Sequence, residues 1–329
     1  MIRRGGETGF VFSLFTSLYA LFFSVSPEQS VIAYGFSMIG DETYCQLLYI
    51  YKKKAKMDFN IKLSNGYVLR GFIMSPGEKL RAMIILVHGL GEHIGRYEGW
   101  ADLFTEAMIG VAGVDLPGHG RSDGKRGHIR NYAITDEMID ILLGECRKTF
   151  PGIPLFLYGH SLGGGIVLDY LIRKNPDVSG AIVTSPWLKL SFEPDKMKVK
   201  MAGIMKSIVP SLVQSSGLVV EHISRDAGVV ERYRKDPLVH GLISVGLFHS
   251  AMSAASGTLG NASGLKRFLL LMHGTGDQIC SYEGSREFAK KTPLAELRLW
   301  EGAYHELHNE SCRHEVFDTI RSWIDDKLS

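Results

Sequence analysis

A serine between glycines, Gly159-His160-Ser161-Leu162-Gly163, closes the short apolar run Leu155 to Tyr158 and opens a helical pattern with two more glycines, Gly164 and Gly165. Glycines on either side let a buried strand swing sharply into a helix, leaving the serine at the apex of a strained turn at the carboxyl edge of a sheet. A helix N-cap in a glycine-rich loop would account for Ser161 but not for both flanking glycines. The rest of the chain supplies the sheet. Met83 to Val87, Val111 to Val114, Leu155 to Tyr158, Ala181 to Thr184 and Phe268 to Met272 are short, mostly apolar runs, as expected of strands buried on both faces. Leu297 to Trp300, interrupted by Arg298, alternates and suits a strand nearer the edge. Asp136 to Phe150 and Leu162 to Lys174 carry helical apolar spacing. The alternation is βαβα, so the fold class is α/β, with a mostly parallel central sheet and helices on both faces. Ahead of it, Phe59 to Leu63 and Tyr67 to Met74, joined at Asn65-Gly66, read as an antiparallel hairpin with a type I′ turn.

The chain of 329 residues is 45% hydrophobic and 22% charged, which excludes a disordered chain, a collagen-like repeat and a polytopic membrane protein. Lys and Arg number 37 against 35 Asp and Glu, and a net charge of +2 is too weak a footprint for a nucleic-acid partner. Cys45, Cys146, Cys280 and Cys312 lie far apart without a Cys-x-x-Cys pair, so neither a disulfide framework nor a zinc site is expected.

Two stretches account for the length beyond one ordinary domain. Residues 1–56 contain an uncharged, hydrophobic segment, Thr8 to Pro27, after Arg3 and Arg4. This leader reads as a signal or membrane anchor, as sequence upstream of a true start at Met57, or as a buried N-terminal helix. Localisation follows from that choice: membrane-associated if the leader is kept as an anchor, cytoplasmic otherwise. The second stretch lies between strands. From Pro186 to Arg267 far more chain is present than a crossover helix needs, so residues 57–329 are expected to form one domain carrying an inserted helical cap near 187–265. Within it Lys196 to Gln214 presents Met197, Met201, Ile204, Met205, Ile208, Val209, Leu212 and Val213 at helical spacing, with a kink at Pro210. That is an ordinary amphipathic helix packed on the body, or a lid whose Met-rich face adapts to lipid.

A serine hydroxyl needs a base to take its proton, usually a histidine held by a carboxylate. In this architecture the chain order is Ser, then Asp or Glu, then His, each on a loop after a strand. That order selects Ser161, Asp277 and His305. Asp277 follows Phe268 to Met272 through His273-Gly-Thr-Gly, and His305 follows Leu297 to Trp300 through Glu-Gly-Ala-Tyr. Asp115 precedes the serine and reads as a loop-shaping residue. The backbone N–H groups of Leu162, directly after the serine, and Leu90, in the loop after Met83 to Val87, are the expected oxyanion donors. No His-Glu-x-x-His, phosphate-binding loop or dinucleotide fingerprint occurs, so no metal or cofactor is expected.

From about Phe59 to Asp325 the chain resembles the monoacylglycerol lipases and related bacterial lysophospholipases of the α/β-hydrolase superfamily. The stretches that carry the likeness are His88-Gly-Leu-Gly-Glu-His-Ile-Gly-Arg-Tyr97, Asp115-Leu-Pro-Gly-His-Gly-Arg-Ser122, Gly159-His-Ser-Leu-Gly-Gly164, Ser185-Pro-Trp187, Asp236-Pro-Leu238 and Glu301-Gly-Ala-Tyr-His-Glu-Leu-His-Asn-Glu310. The resemblance implies a serine hydrolase that cleaves monoacylglycerols to fatty acid and glycerol through an acyl-enzyme on Ser161. A lysophospholipid or a general carboxylic ester is the alternative substrate, and a non-catalytic binding protein on the same fold a remote one. It also implies that Glu92, Arg96, Tyr233 and His308 hold the glycerol end, with a structural Glu92–Arg96 ion pair as the plainer alternative. Cys280 is implied as a thiol close to the catalytic acid. The partner is then a lipid ester, with transient membrane contact through the cap.

Overall fold

The computed structural model describes residues 55–193, 203, 205–206 and 208–329, which belong to the unit Leu47–Ser329. The leader through residue 54, and Lys196, Met197, Met201 and Ile204 of the expected cap helix, lie outside the described residues.

The hairpin opens the sheet. β1 (Ala55–Lys62) pairs antiparallel with β2 (Val68–Ser75), and Ala55 and Lys56 already face Ser75 and Met74 across the expected domain start at Met57. The turn differs from the type I′ expectation. Gly66 alone has a positive φ, 89°, while Gly66 N–H donates to Leu63 O and Leu63 N–H to Tyr67 O, both at 2.9 Å. This is a type I turn closed by a left-handed glycine, which spares Asn65 the positive φ that the two-residue turn would demand.

β3 (Ala82–Val87), β4 (Ile109–Val114), β5 (Leu155–His160), β6 (Gly180–Thr184), β9 (Leu269–Gly274) and β10 (Ala295–Trp300) complete an eight-stranded sheet in the order β1-β2-β4-β3-β5-β6-β9-β10. β2 meets β4 antiparallel, and every pairing from β4 to β10 is parallel. Apart from Phe268, the apolar runs are buried because both faces are covered. Ile85 and Val87 join a core beneath α2 (Tyr132–Thr149), α3 (Leu162–Lys174) and α5 (Val245–Gly260). Ile84 and Leu86, one residue out of phase, join the core beneath α1 (Glu98–Glu106) and α7 (Arg313–Leu328). The period-two alternation of a strand thus feeds two apolar layers. β10 at the edge alternates half-buried and exposed positions from Ala295 to Arg298, as its sequence implies. β9 begins one residue later than expected, leaving Phe268 half-exposed, and runs on through His273 and Gly274.

Between β6 and β9 lie β7 (Val213–Ser215), α4 (Ala227–Lys235) and β8 (Leu242–Ser244), followed by α5. β7 pairs antiparallel with β8, so the expected helix does not reach Gln214. Pro210, with no N–H to continue the ladder, stands where helix gives way to turn. α4 is capped by Asp226, which accepts from Gly228 N–H at 2.7 Å. Ile223, Val229, Val230 and Tyr233 form a small apolar cluster of their own. α5 packs on α3 of the body.

Candidate active site

The loops after β3, β5, β9 and β10 converge at the carboxyl ends of the parallel strands. Ser161 links β5 to α3 at φ 54° and ψ −117°, a conformation few non-glycine residues adopt. A Cβ at Gly159 would lie 2.6 Å from Gly163 O, and one at Gly163 only 2.1 Å from Val87 O. Strand, helix and neighbouring strand therefore meet backbone to backbone, which is why the turn needs both glycines. Three bonds of 3.0 Å, from Ser161 N–H to Thr184 O and from Gly165 and Trp187 N–H to Ser161 O, fix the apex.

Asp277 and His305 arrive from different loops and pair, His305 Nδ1 lying 2.7 Å from Asp277 Oδ2. The other carboxylate oxygen accepts from the Ile279 and Cys280 N–H groups at 2.8 and 3.0 Å. Burial favours the neutral carboxyl, but His305 and His273 together hold Asp277 well below the ordinary carboxylate range. Burial likewise opposes a charged His305, and the Asp277 carboxylate outweighs it, raising the imidazole above its ordinary value. His160, next to Ser161, brings its ring to 4.8 Å from that of His305. No hydrogen bond joins Ser161 Oγ to His305 Nε2 among the described residues, and bonds of this kind commonly tighten only around substrate. The Cys280 thiol is buried beside Asp277 and within reach of the Ser161 hydroxyl, and burial pushes it well above its ordinary value.

The loop after β3 lies against the serine, so that a Cβ at Gly89 would sit 3.1 Å from Ser161 Cβ. Glu92 Oε1 accepts from Gly89 N–H at 2.6 Å, and Gly91 O accepts from His240 N–H at 2.8 Å. The loop is thus held on both sides of Leu90, whose amide, like that of Leu162, is not among the donors of the surrounding loop bonds. Asp115 shapes the same region by accepting from Ile94 and Arg121 N–H, both at 2.7 Å.

Glu92, Arg96, Tyr233 and His308 are brought together, but their polar atoms are differently occupied. Arg96 donates to Glu92 Oε2 at 2.6 Å and forks onto both oxygens of Glu306 at 2.7 Å. Tyr97 OH donates to Glu92 Oε1 at 2.8 Å. Both carboxylate side chains are 3% exposed. Burial would raise Glu306, yet the forked guanidinium holds it to about 2. Glu92, with one bond from the same cation, is raised by burial and by the Glu306 charge. The Tyr233 ring lies 4.6 Å from the Arg96 guanidinium, packing α4 onto this cluster. His308 stacks on Tyr97 at 4.6 Å, and both its ring nitrogens are buried without a hydrogen-bond partner. Burial pushes it down to about 3, so it is a neutral imidazole with an unused donor and acceptor.

Glu306 and His273 were not singled out from sequence. Glu306 lies inside the Tyr-His-Glu-Leu-His stretch, its role hidden because its partner is far away in the chain. Among the described residues no group of three or more His, Cys, Asp or Glu is arranged to hold a metal ion.

The strand order, with a serine at a strained turn after β5 and an Asp–His pair on the later loops, defines an α/β-hydrolase. Residues 78–312 match the model of the family described as serine aminopeptidase, S33. A monoacylglycerol lipase of Mycolicibacterium smegmatis is 31% identical over 255 residues, covering 77% of this chain and 91% of its own length. An uncharacterized abhydrolase domain-containing protein of Dictyostelium discoideum is 35% identical over 274 residues, covering 82% of this chain, which spans 29% of that larger protein. Among solved structures, the monoacylglycerol lipase of Paleococcus ferrophilus superposes with a TM-score of 0.71 at 32% identity, covering 83% of this chain and 98% of the other. The chain belongs to this family, as a monoacylglycerol-lipase-like carboxylic ester hydrolase.

Proposed function

We propose that the protein hydrolyses the ester bond of monoacylglycerols, releasing fatty acid and glycerol through an acyl-enzyme on Ser161. The observation that carries the reading is the Asp277–His305 pair at 2.7 Å, set beside the serine turn on loops of the expected order. The Mycolicibacterium and Paleococcus relatives, both monoacylglycerol lipases, support the substrate class. Ser161 Oγ attacks the ester carbonyl while His305 Nε2 takes its proton, and Asp277 orients and stabilises the imidazolium. The oxyanion is met by the N–H groups of Leu90 and Leu162. His305 then gives the proton to the departing glycerol oxygen. Next it takes a proton from water, whose oxygen attacks the acyl carbon, and returns that proton to Ser161 Oγ as the acyl bond breaks, freeing the fatty acid and Ser161.

Tyr233 and His308 are assigned to the glycerol end. His308 offers one donor and one acceptor that no protein group uses. Glu92 and Arg96, bonded to each other, with Arg96 forked onto Glu306, frame that end and brace the oxyanion loop. Within residues 187–265, the part ahead of α5, which packs on the body helix α3, acts as the cap. Phe192, Ile208, Val209, Leu212 and Val219 are large apolar side chains exposed there, and they are assigned to the surface of the lipid aggregate. No helix among the described residues is long and apolar enough to cross a membrane.

A fluorophosphonate should label Ser161, and Ser161→Ala should lose both label and hydrolysis by several orders of magnitude. Comparison of kcat/KM on monooleoylglycerol, lysophosphatidylcholine and short p-nitrophenyl esters should favour the first. A preference for the lysophospholipid or the short esters would replace the substrate assignment, and a fully active Ser161→Ala would overturn the mechanism.

A further inference from the structure

His273 is fully buried near the end of β9, paired across the sheet with Leu299, whereas Asp277 stands on the loop beyond the strand. Its Nε2 lies 3.0 Å from Cys280 O, an atom that can only accept, so Nε2 carries the proton. The same nitrogen lies 3.1 Å from Asp277 Oδ2, the oxygen that also faces His305 Nδ1 at 2.7 Å. On the far side Nδ1 lies 2.8 Å from Ser285 Oγ, on helix α6 (Tyr282–Ala289), and accepts from that hydroxyl in the neutral tautomer. With Ile279 and Cys280 N–H on Oδ1, every direction of the Asp277 carboxylate is met by an N–H donor. One of the four comes from a side chain rooted in the sheet and tied to a helix. The loop's own N–H groups hold Oδ1, and His273 holds Oδ2 from the sheet, so the carboxylate is braced at both oxygens.

We propose that His273 is a positioning residue for the reaction: its Nε2–H, anchored between β9 and α6, shares Asp277 Oδ2 with His305 and fixes the angle at which that carboxylate meets the imidazole. The proposal rests on the assignment of Asp277 and His305 as acid and base. A donor on Oδ2 also draws electron density from it, so Asp277 supports the imidazolium less strongly than an unshared carboxylate would. Losing the donor has two consequences. The carboxylate can rotate, which lowers kcat, and the imidazole binds its proton more tightly, which moves the acid limb of the pH profile upward. The other groups facing His305 stay in place: Asp277 and Cys280 on the loop after β9, His160 at the end of β5, Glu92 and Arg96 after β3, and Glu306 and His308 beside it.

The test is kcat, KM and the pH profile of kcat/KM on a soluble short-chain p-nitrophenyl ester for His273→Leu, His273→Asn and His273→Gln, beside Asp277→Asn. Leu removes the donor, and the shorter Asn cannot carry one to the Nε2 position, so either variant serves if the other fails to fold. Each should lower kcat about tenfold with KM little changed, and should raise the acid-limb midpoint by about half to one pH unit, a fraction of the roughly one to two units that a whole hydrogen bond to a charged group is worth, because the donor acts on the imidazole only through the carboxylate. His273→Gln, whose amide nitrogen reaches the Nε2 position, should restore the wild-type midpoint. An acid limb unmoved in the folded Leu or Asn variant would overturn the proposal, as would a Gln variant shifted as far as Leu. Asp277→Asn separates the two levels of the argument. If it stays active, the catalytic assignment itself fails; if it is inactive while the His273 variants keep the wild-type profile, only the role of His273 does.

Discussion

Arg96 distinguishes a structural clamp from a substrate ligand. Replacing it with Met keeps much of the side-chain volume and removes three N–H···O bonds of 2.6–2.7 Å, leaving Glu92 and Glu306 without a cation. Breaking a buried ion pair from one side costs about 3–5 kcal/mol. At a urea dependence of about 3 kcal/mol per molar, the unfolding midpoint should fall by about 1–1.7 M near neutral pH. The pH dependence carries a sign. In the wild type, Glu306 is depressed below its unfolded value, so its stabilisation is present above the ordinary carboxylate range and is lost only as pH falls toward about 2. In the variant, burial raises both carboxyls above their unfolded values. Its stability should therefore fall as pH rises from about 4.5, because the unfolded chain releases protons that the folded one keeps. The gap between wild type and variant should be larger at pH 7.5 than at pH 5, read by urea denaturation at fixed salt. If Arg96 instead served mainly to grip substrate, the variant would show a raised KM with an unchanged unfolding midpoint. That result, or a loss independent of pH, would refute the clamp.

The acid limb of wild-type kcat/KM should have its midpoint above 6.5, because His305 must be neutral to act as base and Asp277 raises its affinity for the proton; a midpoint at or below 6.5 would contradict that balance. Gly163→Ala should abolish activity and lower thermal stability, since its Cβ would meet Val87 O at 2.1 Å and can be relieved only by moving the turn that carries Ser161. An active, unshifted variant would mean that the turn tolerates more than its geometry allows. Replacing Phe192 and Leu212 with Ser should reduce turnover of monooleoylglycerol on vesicles severalfold and leave a soluble short-chain ester unaffected, and equal losses on both would remove the lipid-surface role of the cap.

Periodicity made the central strands and α3 legible because each is a local pattern whose faces are both buried. The turn around Ser161 was legible for a related reason: two glycines four residues apart, Gly159 and Gly163, are forced by contacts within a few residues and one neighbouring strand. What escaped depends on distance. Glu306 joins Arg96 across most of the chain, and nothing local says that the carboxylate beside His305 points at a guanidinium rather than at water. His273 follows an apolar run and resembles the first residue of a loop, yet the ladder with β10 continues through it and turns its ring toward Asp277. The cap was least legible: β7 pairs with β8 through three residues, too short for alternation to outweigh a helical stripe that only Pro210 interrupts. The same contrast separates the two kinds of site residue. The serine, acid and base are recognisable by order along the chain, because each stands on a loop after a strand. Their supporting groups are defined by which buried polar atoms remain for them to meet, and only the folded geometry contains that count.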